Sequence, residues 1–217
     1  MSDPRCRRGV DPGQEHPRDD RRPEAKENGL SAKRVVALST PLTKENVEML
    51  HCGDRVALSG VIYTARDEAH RRIVASLKKD GTSPIPLEGQ VIYFAGPSPS
   101  RPGNPTGSIG PTTSYRMDAY SPVLIEHGLR GMIGKGGRDR RVREAMRQYG
   151  CVYFGATGGA GAFIARAVRS VEVVAYEELG PEAIRRLLVE DFFVVVINDV
   201  HGRDLYEEGQ SVFRKAP

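Results

Sequence analysis

The chain is poor in the features that mark several protein classes. Its 217 residues include only 3 cysteines, Cys6, Cys52 and Cys151, which are far apart and form no C-x-x-C pair. This spacing excludes a disulfide framework and a local zinc or iron–sulfur motif. No run approaches the ~18 consecutive apolar residues of a membrane span, and the N-terminus lacks the apolar core of a secretory signal. We therefore expect a cytoplasmic protein with reduced thiols.

A block of charge of one sign is also lacking. The 32 Lys and Arg residues and 28 Asp and Glu residues give a formal net charge of +4, and the two signs are interspersed along the chain. No motif combines basic and aromatic residues. Neither a nucleic-acid partner nor a membrane surface is therefore expected. The 5 histidines show no ligand spacing, so no metal ligand is predicted in this chain.

The composition predicts one domain preceded by a tail. Residues 1–30 are dense in Pro, Gly, Arg and acidic residues and almost empty of large apolar groups. Such a segment cannot offset its ordering entropy by burial, so it is expected to be disordered. The remaining residues, 31–217, carry enough apolar content for a single globular domain.

Apolar periodicity predicts strands alternating with helices, the pattern of an α/β domain. Strands are predicted in "KRVVAL", "DRVALSGVIY", "GQVIYFAGP", "RGMIGKGG", "CVYFG" and "SVEVVAYEEL". The clearest helix is "TARDEAHRRIVASLKKDG", where Thr64 and Asp67 have capping-box-like spacing and Gly81 ends the pattern. "GPEAIRRLLVEDF" is predicted to be a helix with Pro181 at its first position, followed by a buried strand and a turn.

Further helices are predicted in "TKENVEML", around Pro122, in "RDRRVREAMRQYG" and after the glycine-rich "GATGGAGA". That glycine-rich stretch fits neither G-x-x-x-x-G-K-[ST] nor G-x-G-x-x-G. It is therefore interpreted as a tight strand-to-helix crossing or as the backbone lining of a small anion pocket. The Pro- and Gly-rich loop "SPSRPGNPTGSIGPTT" is long for a compact domain, and such loops are often functional.

Three cations stand out from this background. Arg116 follows the hydroxyl residues 112–114 in "GPTTSYRMD", Lys135 lies between glycines in "IGKGG", and Arg66 lies in the first turn of a helix, where the macrodipole disfavours a cation. Guanidinium groups bind carboxylates bidentately, an ammonium adds a point charge, and hydroxyls donate to or exchange protons with a ligand. Together these residues predict a site for a small polyanion.

The motifs "TARDEAHRR", "GPTTSYRMD", "GKGG", "ATGGAGA" and "VEDFFVVVINDVHGRDLY", in this order, resemble the β-type half of the iron–sulfur hydro-lyases. These are class I fumarate hydratase and L(+)-tartrate dehydratase, and the resemblance covers residues 31–209. It implies a swivelling β/β/α-type domain that closes over a 4Fe-4S cluster. It also implies that the cluster is ligated by an α-type subunit and not by this chain, in an α2β2 assembly that is active only when paired.

The same resemblance implies residue roles. Arg66, Arg116 and Lys135 match the contacts to the substrate carboxylates, and Thr112 matches the catalytic base. Tyr115 departs from the family pattern, in which a small residue is usual, so it either narrows the site or points away. The implied reaction is the reversible trans addition of water to fumarate, giving S-malate.

Other readings stay open from the sequence. One keeps the chemistry and changes the substrate to tartrate or another C4 dicarboxylate. A second is a stand-alone module that binds small dicarboxylates without catalysis. The weakest is nucleic-acid binding through the arginines of the tail, which would give steeply salt-dependent affinity.

Overall fold

The computed structural model describes residues 35–214, which fall within one compact unit. The tail predicted for residues 1–30 lies outside the described residues, as does Cys6. The described part of the chain has no helix that is both long enough and apolar enough to cross a membrane.

Seven strands and six α-helices alternate along much of the described chain. The strands are β1 (Val35–Thr40), β2 (Arg55–Thr64), β3 (Val91–Tyr93), β4 (Gly131–Gly134), β5 (Val152–Gly155), β6 (Val168–Ala175) and β7 (Ile184–Asn198). The helices are α1 (Lys44–Glu48), α2 (Asp67–Asp80), α3 (Ser121–Glu126), α4 (Arg140–Tyr149), α5 (Gly161–Ile164) and α6 (Leu205–Phe213). Short 3₁₀ segments are Ser114–Met117, Ala165–Ala167 and Glu177–Glu182. This mixed α/β architecture is the predicted fold class.

All seven strands belong to one sheet, in the order β1-β2-β3-β4-β5-β7-β6. The first five are parallel to their neighbours, as the helical crossovers between most of them require. The long strand β7 runs antiparallel to β5, to β6 and also to β2. Because β7 joins β5 back to β2, strands β2, β3, β4, β5 and β7 form a closed ring.

Side chains on the two faces of the strands pack into two separate apolar clusters. Along β3 and just beyond it, Tyr93 packs in one cluster and Phe94 in the other, as the period of two in a strand requires. The first cluster is made mainly by inward residues of the ring, and the second lies under α2, α3 and α4. The ring is therefore filled by side chains and covered by helices on its outer side.

Helix α2 is present as predicted and ends at Gly81, which adopts the left-handed conformation (φ 73°). The predicted capping box at its start is wrong. Thr64 is the last residue of β2, and its buried hydroxyl accepts the Arg185 N–H at 3.2 Å. The helix begins only at Asp67, after Arg66 as N-cap, and Arg66 makes no side-chain capping hydrogen bond. Arg66 therefore precedes the first turn in which it was expected.

The helix predicted in "GPEAIRRLLVEDF" is also wrong. Pro181 lies in the 3₁₀ segment Glu177–Glu182, and β7 begins at Ile184. Apolar positions such as Ile184, Leu187 and Leu188 fit helical spacing. Pairing along nearly the whole of β2 decides in favour of the strand, because it satisfies backbone groups and buries alternate side chains.

The end of the described chain extends beyond the predicted buried strand and turn. A helix that was not predicted, α6, follows that turn. Asp204 is its N-cap, and its carboxylate accepts the N–H groups of Tyr206 (2.9 Å) and Glu207 (3.3 Å). By contrast, the helix expected after the glycine-rich turn is only the four residues of α5 and a 3₁₀ turn.

Candidate active site

The predicted site residues lie at the carboxyl ends of the parallel strands. Arg66 lies two residues beyond β2, and Lys135 directly follows β4. The Thr112 N–H donates to the carbonyl of Phe94, which directly follows β3, at 2.6 Å. Carboxyl ends of neighbouring parallel strands meet at one edge of a sheet, where α/β proteins commonly bind ligands. The fold therefore brings these three residues to one edge.

Thr112 and Lys135 are joined through their backbones. The Lys135 N–H donates to the Thr112 carbonyl at 3.3 Å, and the Ser114 N–H donates to the Lys135 carbonyl at 2.9 Å. Thr113 and Lys135 form an isolated parallel bridge. Residues 112–114 therefore continue the sheet beside the end of β4, so the predicted base and the predicted ammonium lie on adjoining backbone segments.

Ser114 does not offer its hydroxyl to a ligand, contrary to expectation. The side chain is fully buried, and its Oγ lies 2.8 Å from the Oη of Tyr153. Because the Tyr153 O–H donates to the Gly136 carbonyl at 2.8 Å, the Ser114 hydroxyl is the donor in this pair. Burial raises the pKa of Tyr153, so the phenol stays protonated. Ser114 thus fixes the turn that carries Thr112 and Lys135.

Gly134 is required by this close packing. A Cβ at that position would lie 2.0 Å from the Ser114 Oγ and 2.9 Å from the Phe94 ring. Neither distance is compatible with a real side chain. The glycine before Lys135 therefore lets the segment after β3 approach the end of β4.

Arg116 is held by the carboxylate of Asp67, a residue whose position in the sequence predicts only a helix-capping role. Its Nε donates to Oδ1 of Asp67 at 2.8 Å, and its Nη2 lies 2.8 Å from Oδ2. Asp67 directly follows Arg66, so this ion pair brings Arg116 to the same strand end as Arg66. Nη1 of Arg116 makes no hydrogen bond to the described part of the protein, and the side chain is 42% exposed. The guanidinium can therefore serve Asp67 and a ligand together.

Arg66 is partly buried and incompletely paired. Its Nη2 lies 3.4 Å from Oε1 of Glu182, and its Nε is buried without a hydrogen-bond partner among the described residues. Its carbonyl accepts both the backbone N–H and the ring Nδ1 of His70, at 2.9 and 2.8 Å. Burial lowers the pKa of His70 to about 4, so the ring is neutral and donates from Nδ1. The backbone of Arg66 is thus held by His70, while its guanidinium keeps N–H groups that are not hydrogen-bonded to the described protein.

Asp118 and Arg138 form a buried ion pair beneath this edge of the sheet. The Arg138 side chain is fully buried, donates from Nε to Asp118 Oδ1 at 2.7 Å, and lies over the rings of Phe94 and Tyr153. Oδ2 of Asp118 accepts the Asp139 N–H at 2.8 Å. Asp118 closes the 3₁₀ turn Ser114–Met117, so the pair connects the Arg116 turn to the segment after Lys135.

The glycine-rich turn after β5 completes the edge. A Cβ built on Gly158 would lie 3.6 Å from Cδ and 3.8 Å from Nζ of Lys135, so the lysine side chain lies against this turn. Within residues 35–214 no carboxylate pairs with Lys135, which is exposed. Since α5 has only four residues, the turn lacks the long helix dipole of a phosphate loop. Tyr115, which directly precedes Arg116, is 67% exposed.

The described residues do not fit an iron–sulfur cluster. No group of three or more His, Cys, Asp or Glu side chains in residues 35–214 could hold a metal ion. Burial raises the pKa of Cys52 and of Cys151 to about 12, which opposes the thiolate form that a cluster requires.

These features define an α/β domain with cations gathered at the carboxyl ends of parallel strands. Residues 11–209 match the family described as Fumarase C-terminus, and the chain belongs to that family.

Three relatives illustrate the family. The chain is 38% identical over 183 residues to "Putative fumarate hydratase class I" of Geobacillus stearothermophilus, covering 82% of this chain and 35% of the relative. It is 40% identical over 181 residues to "Putative L(+)-tartrate dehydratase subunit beta" of Methanocaldococcus jannaschii, covering 80% and 93%. It is 38% identical over 156 residues to "Fumarate hydratase class I, anaerobic" of Escherichia coli, covering 71% and 28%. The chain thus spans about a third of the fumarate hydratases and nearly all of the tartrate dehydratase subunit.

Proposed function

We propose that this chain is the β subunit of a hydro-lyase that hydrates fumarate reversibly to S-malate. The observation that carries the proposal is the gathering of Arg66, Arg116, Lys135 and Thr112 at one sheet edge. Membership of a family whose relatives are named as fumarate and tartrate hydro-lyases supports it. The fold would be the swivelling β/β/α type, with residues 31–217 as the catalytic domain.

The substrate is held as a dianion in this proposal. Nη1 of Arg116 has no hydrogen-bond partner in the described chain, and the partly exposed Arg66 has only one long ion pair there, so both guanidinium groups would donate to substrate carboxylates. Lys135, which is unpaired by any carboxylate in residues 35–214, adds a point charge. These cations offset the negative charge that develops when a proton leaves the carbon next to a carboxylate.

Thr112 would take that proton as catalytic base. Its hydroxyl is far too weak a base on its own, so a group from a partner subunit would first take the hydroxyl proton, and the resulting alkoxide would accept the proton from carbon. The partner is proposed to be an α-type subunit in an α2β2 assembly in the cytoplasm. It would also hold the 4Fe-4S cluster that the resemblance implies, because the described residues of this chain do not fit one.

A second candidate is the β subunit of an L(+)-tartrate dehydratase. The chain covers 93% of the relative named as such a subunit, whereas it covers only 35% and 28% of two named fumarate hydratases. This match supports the second candidate, and the cationic site suits either dicarboxylate. A module that binds a dicarboxylate without catalysis remains the outcome if no partner confers activity.

The experiment is anaerobic co-expression with an α-type partner, followed by assays of fumarate hydration and tartrate dehydration. Thr112→Ala should lower kcat by about 10²–10⁴-fold if Thr112 is the base. Thr113→Ala removes a neighbouring hydroxyl and should cost much less. An equal effect of both substitutions, or unchanged turnover in Thr112→Ala, would remove Thr112 from the chemistry.

Arg116→Lys tests the carboxylate-binding role. The substitution keeps the charge and loses the fork, so KM should rise sharply. Arg169→Lys is the matched control, because Arg169 lies on β6 and is exposed, paired with Glu190. If the two substitutions change KM equally, Arg116 does not bind a substrate carboxylate through its guanidinium fork.

A further inference from the structure

Helix α2 is capped from a distant part of the chain. Its N-cap, Arg66, has extended backbone angles and offers no side-chain acceptor, although helix starts leave several N–H groups unpaired. Oε2 of Glu182 accepts the N–H of Glu68 at 3.2 Å. Glu182 is separated from Glu68 by 114 residues, so a tertiary contact supplies the missing cap.

The same carboxylate also engages Arg66. Its Oε1 lies 3.4 Å from Nη2, with the two side chains 23% and 25% exposed. An arginine at a helix start is disfavoured by the macrodipole, and a carboxylate there offsets both positive charges. Since 3.4 Å is longer than a charge-assisted hydrogen bond, the pair leaves the guanidinium unsaturated. Its buried Nε stays without a protein partner in the described residues.

Glu182 is held in place independently of Arg66. We call the 3₁₀ segment Glu177–Glu182 the strap. Arg185 donates to the strap carbonyls of Gly180 (2.7 Å) and Pro181 (3.2 Å), and Arg72 forms an ion pair with Glu178. The strap also lies close to Gly96, where a Cβ would be 2.7 Å from the Pro181 carbonyl oxygen and 3.2 Å from Nη1 of Arg66. The strap is therefore a fixed wall beside the Arg66 head group.

We propose that Glu182 is a positioning residue for substrate binding: anchored by the strap, it orients the Arg66 guanidinium toward a substrate carboxylate. This inference rests on the proposed function and adds to it a residue that has no counterpart among the predicted site residues. Glu182 itself need not touch the substrate.

The test uses two substitutions in the reconstituted complex. Glu182→Gln keeps an oxygen for the Glu68 N–H and removes the charge, whereas Glu182→Ala removes both. KM for the dicarboxylate should rise about threefold to tenfold in both variants, with kcat changed by less than about twofold, because substrate binding is weakened in ground and transition states alike. Glu177→Gln is the matched control on the same strap, because Glu177 is exposed and forms no ion pair within the described residues, and it should leave KM unchanged.

A second measurement does not depend on activity. In the ¹⁵N-labelled full chain, the Arg66 Nε–H resonance is assigned by its loss in Arg66→Lys. Glu182→Gln and Glu182→Ala should shift it, and Glu177→Gln should not. A purely structural role of Glu182 would lower Tm without moving this resonance or KM.

The outcomes separate two failures. If the wild-type complex is inert toward fumarate and tartrate, the proposed function is wrong, while the Arg66 resonance still decides whether Glu182 orients it. If the wild type is active and KM is unchanged or falls in Glu182→Gln, the positioning role is overturned. A fall would mean that Glu182 competes with the substrate for Arg66.

Discussion

Removing the carboxylate of Asp118 should strongly destabilise the protein. Arg138 is fully buried, and Asp118 is its only carboxylate partner in the described chain, at 2.7 Å. Asp118→Ala would leave the guanidinium buried and uncompensated, and would also orphan the Asp139 N–H. Contacts with two aromatic rings and the Ser121 hydroxyl would remain, but they do not neutralise the charge.

The expected magnitude follows from the burial of the pair. Removing one partner of a buried ion pair costs about 3–5 kcal/mol. For a domain of this size, each kcal/mol lowers Tm by about 2–4 °C, so Tm should fall by roughly 6–20 °C. Urea unfolding monitored by circular dichroism gives the free energy of unfolding, and a thermal melt gives Tm.

The control is an exposed pair of the same chemistry. Arg140 and Glu144 are 86% and 55% exposed and lie 2.7 Å apart on α4. Glu144→Ala should change the free energy of unfolding by less than about 1 kcal/mol. If Asp118→Ala costs no more than Glu144→Ala, the buried pair does not stabilise this edge of the sheet.

Three further predictions concern the same edge. Asp67→Asn should raise KM in the reconstituted complex by loosening Arg116, with a small change in Tm because the pair is partly exposed; unchanged KM would contradict this. His70 has a pKa of about 4 when folded and about 6.5 when unfolded, so the unfolded state binds more protons between these values. The free energy of unfolding should therefore fall as pH drops through this window, by up to about 1.4 kcal/mol per pH unit. His70→Asn should reduce this pH dependence, as measured by urea unfolding at several pH values. Gly134→Ala should lower Tm and activity because its Cβ would clash with the neighbouring turn, whereas Gly137→Ala, with open space around it, should do neither; equal behaviour of the two would refute the packing account.

Local signals predicted much of the fold. The helical character and the end of α2 could be predicted because apolar residues recur every four positions and Gly81 provides the left-handed C-cap. The residues of β7 could not be assigned locally, because their apolar spacing suits a helix as well as a strand. Their conformation is decided by β2, a partner more than a hundred residues away. Asp204 followed three residues later by Glu207 is a local start signal for α6.

The site shows the same division. Arg66, Arg116, Lys135 and Thr112 could be singled out because each is a polar residue in a local context that does not require it. Their roles remain predictions. The carboxylates that hold the two arginines were missed for different reasons. Asp67 was visible beside Arg66, but nothing in the sequence joined it to Arg116. Glu182 lay in a segment assigned to the wrong element.

The ring of strands has a consequence for how the chain is made. Strand β2 ends at Thr64 and is therefore translated well before β7, the strand that covers one of its sides, which ends only at Asn198. Until the ribosome has released that segment, one hydrogen-bonding side of β2 stays unsatisfied, and such open strands are prone to mispairing. The nascent chain should therefore depend on chaperones during much of its synthesis, and ribosome-bound chains truncated before β7 should be cleaved by protease more readily than chains that include it.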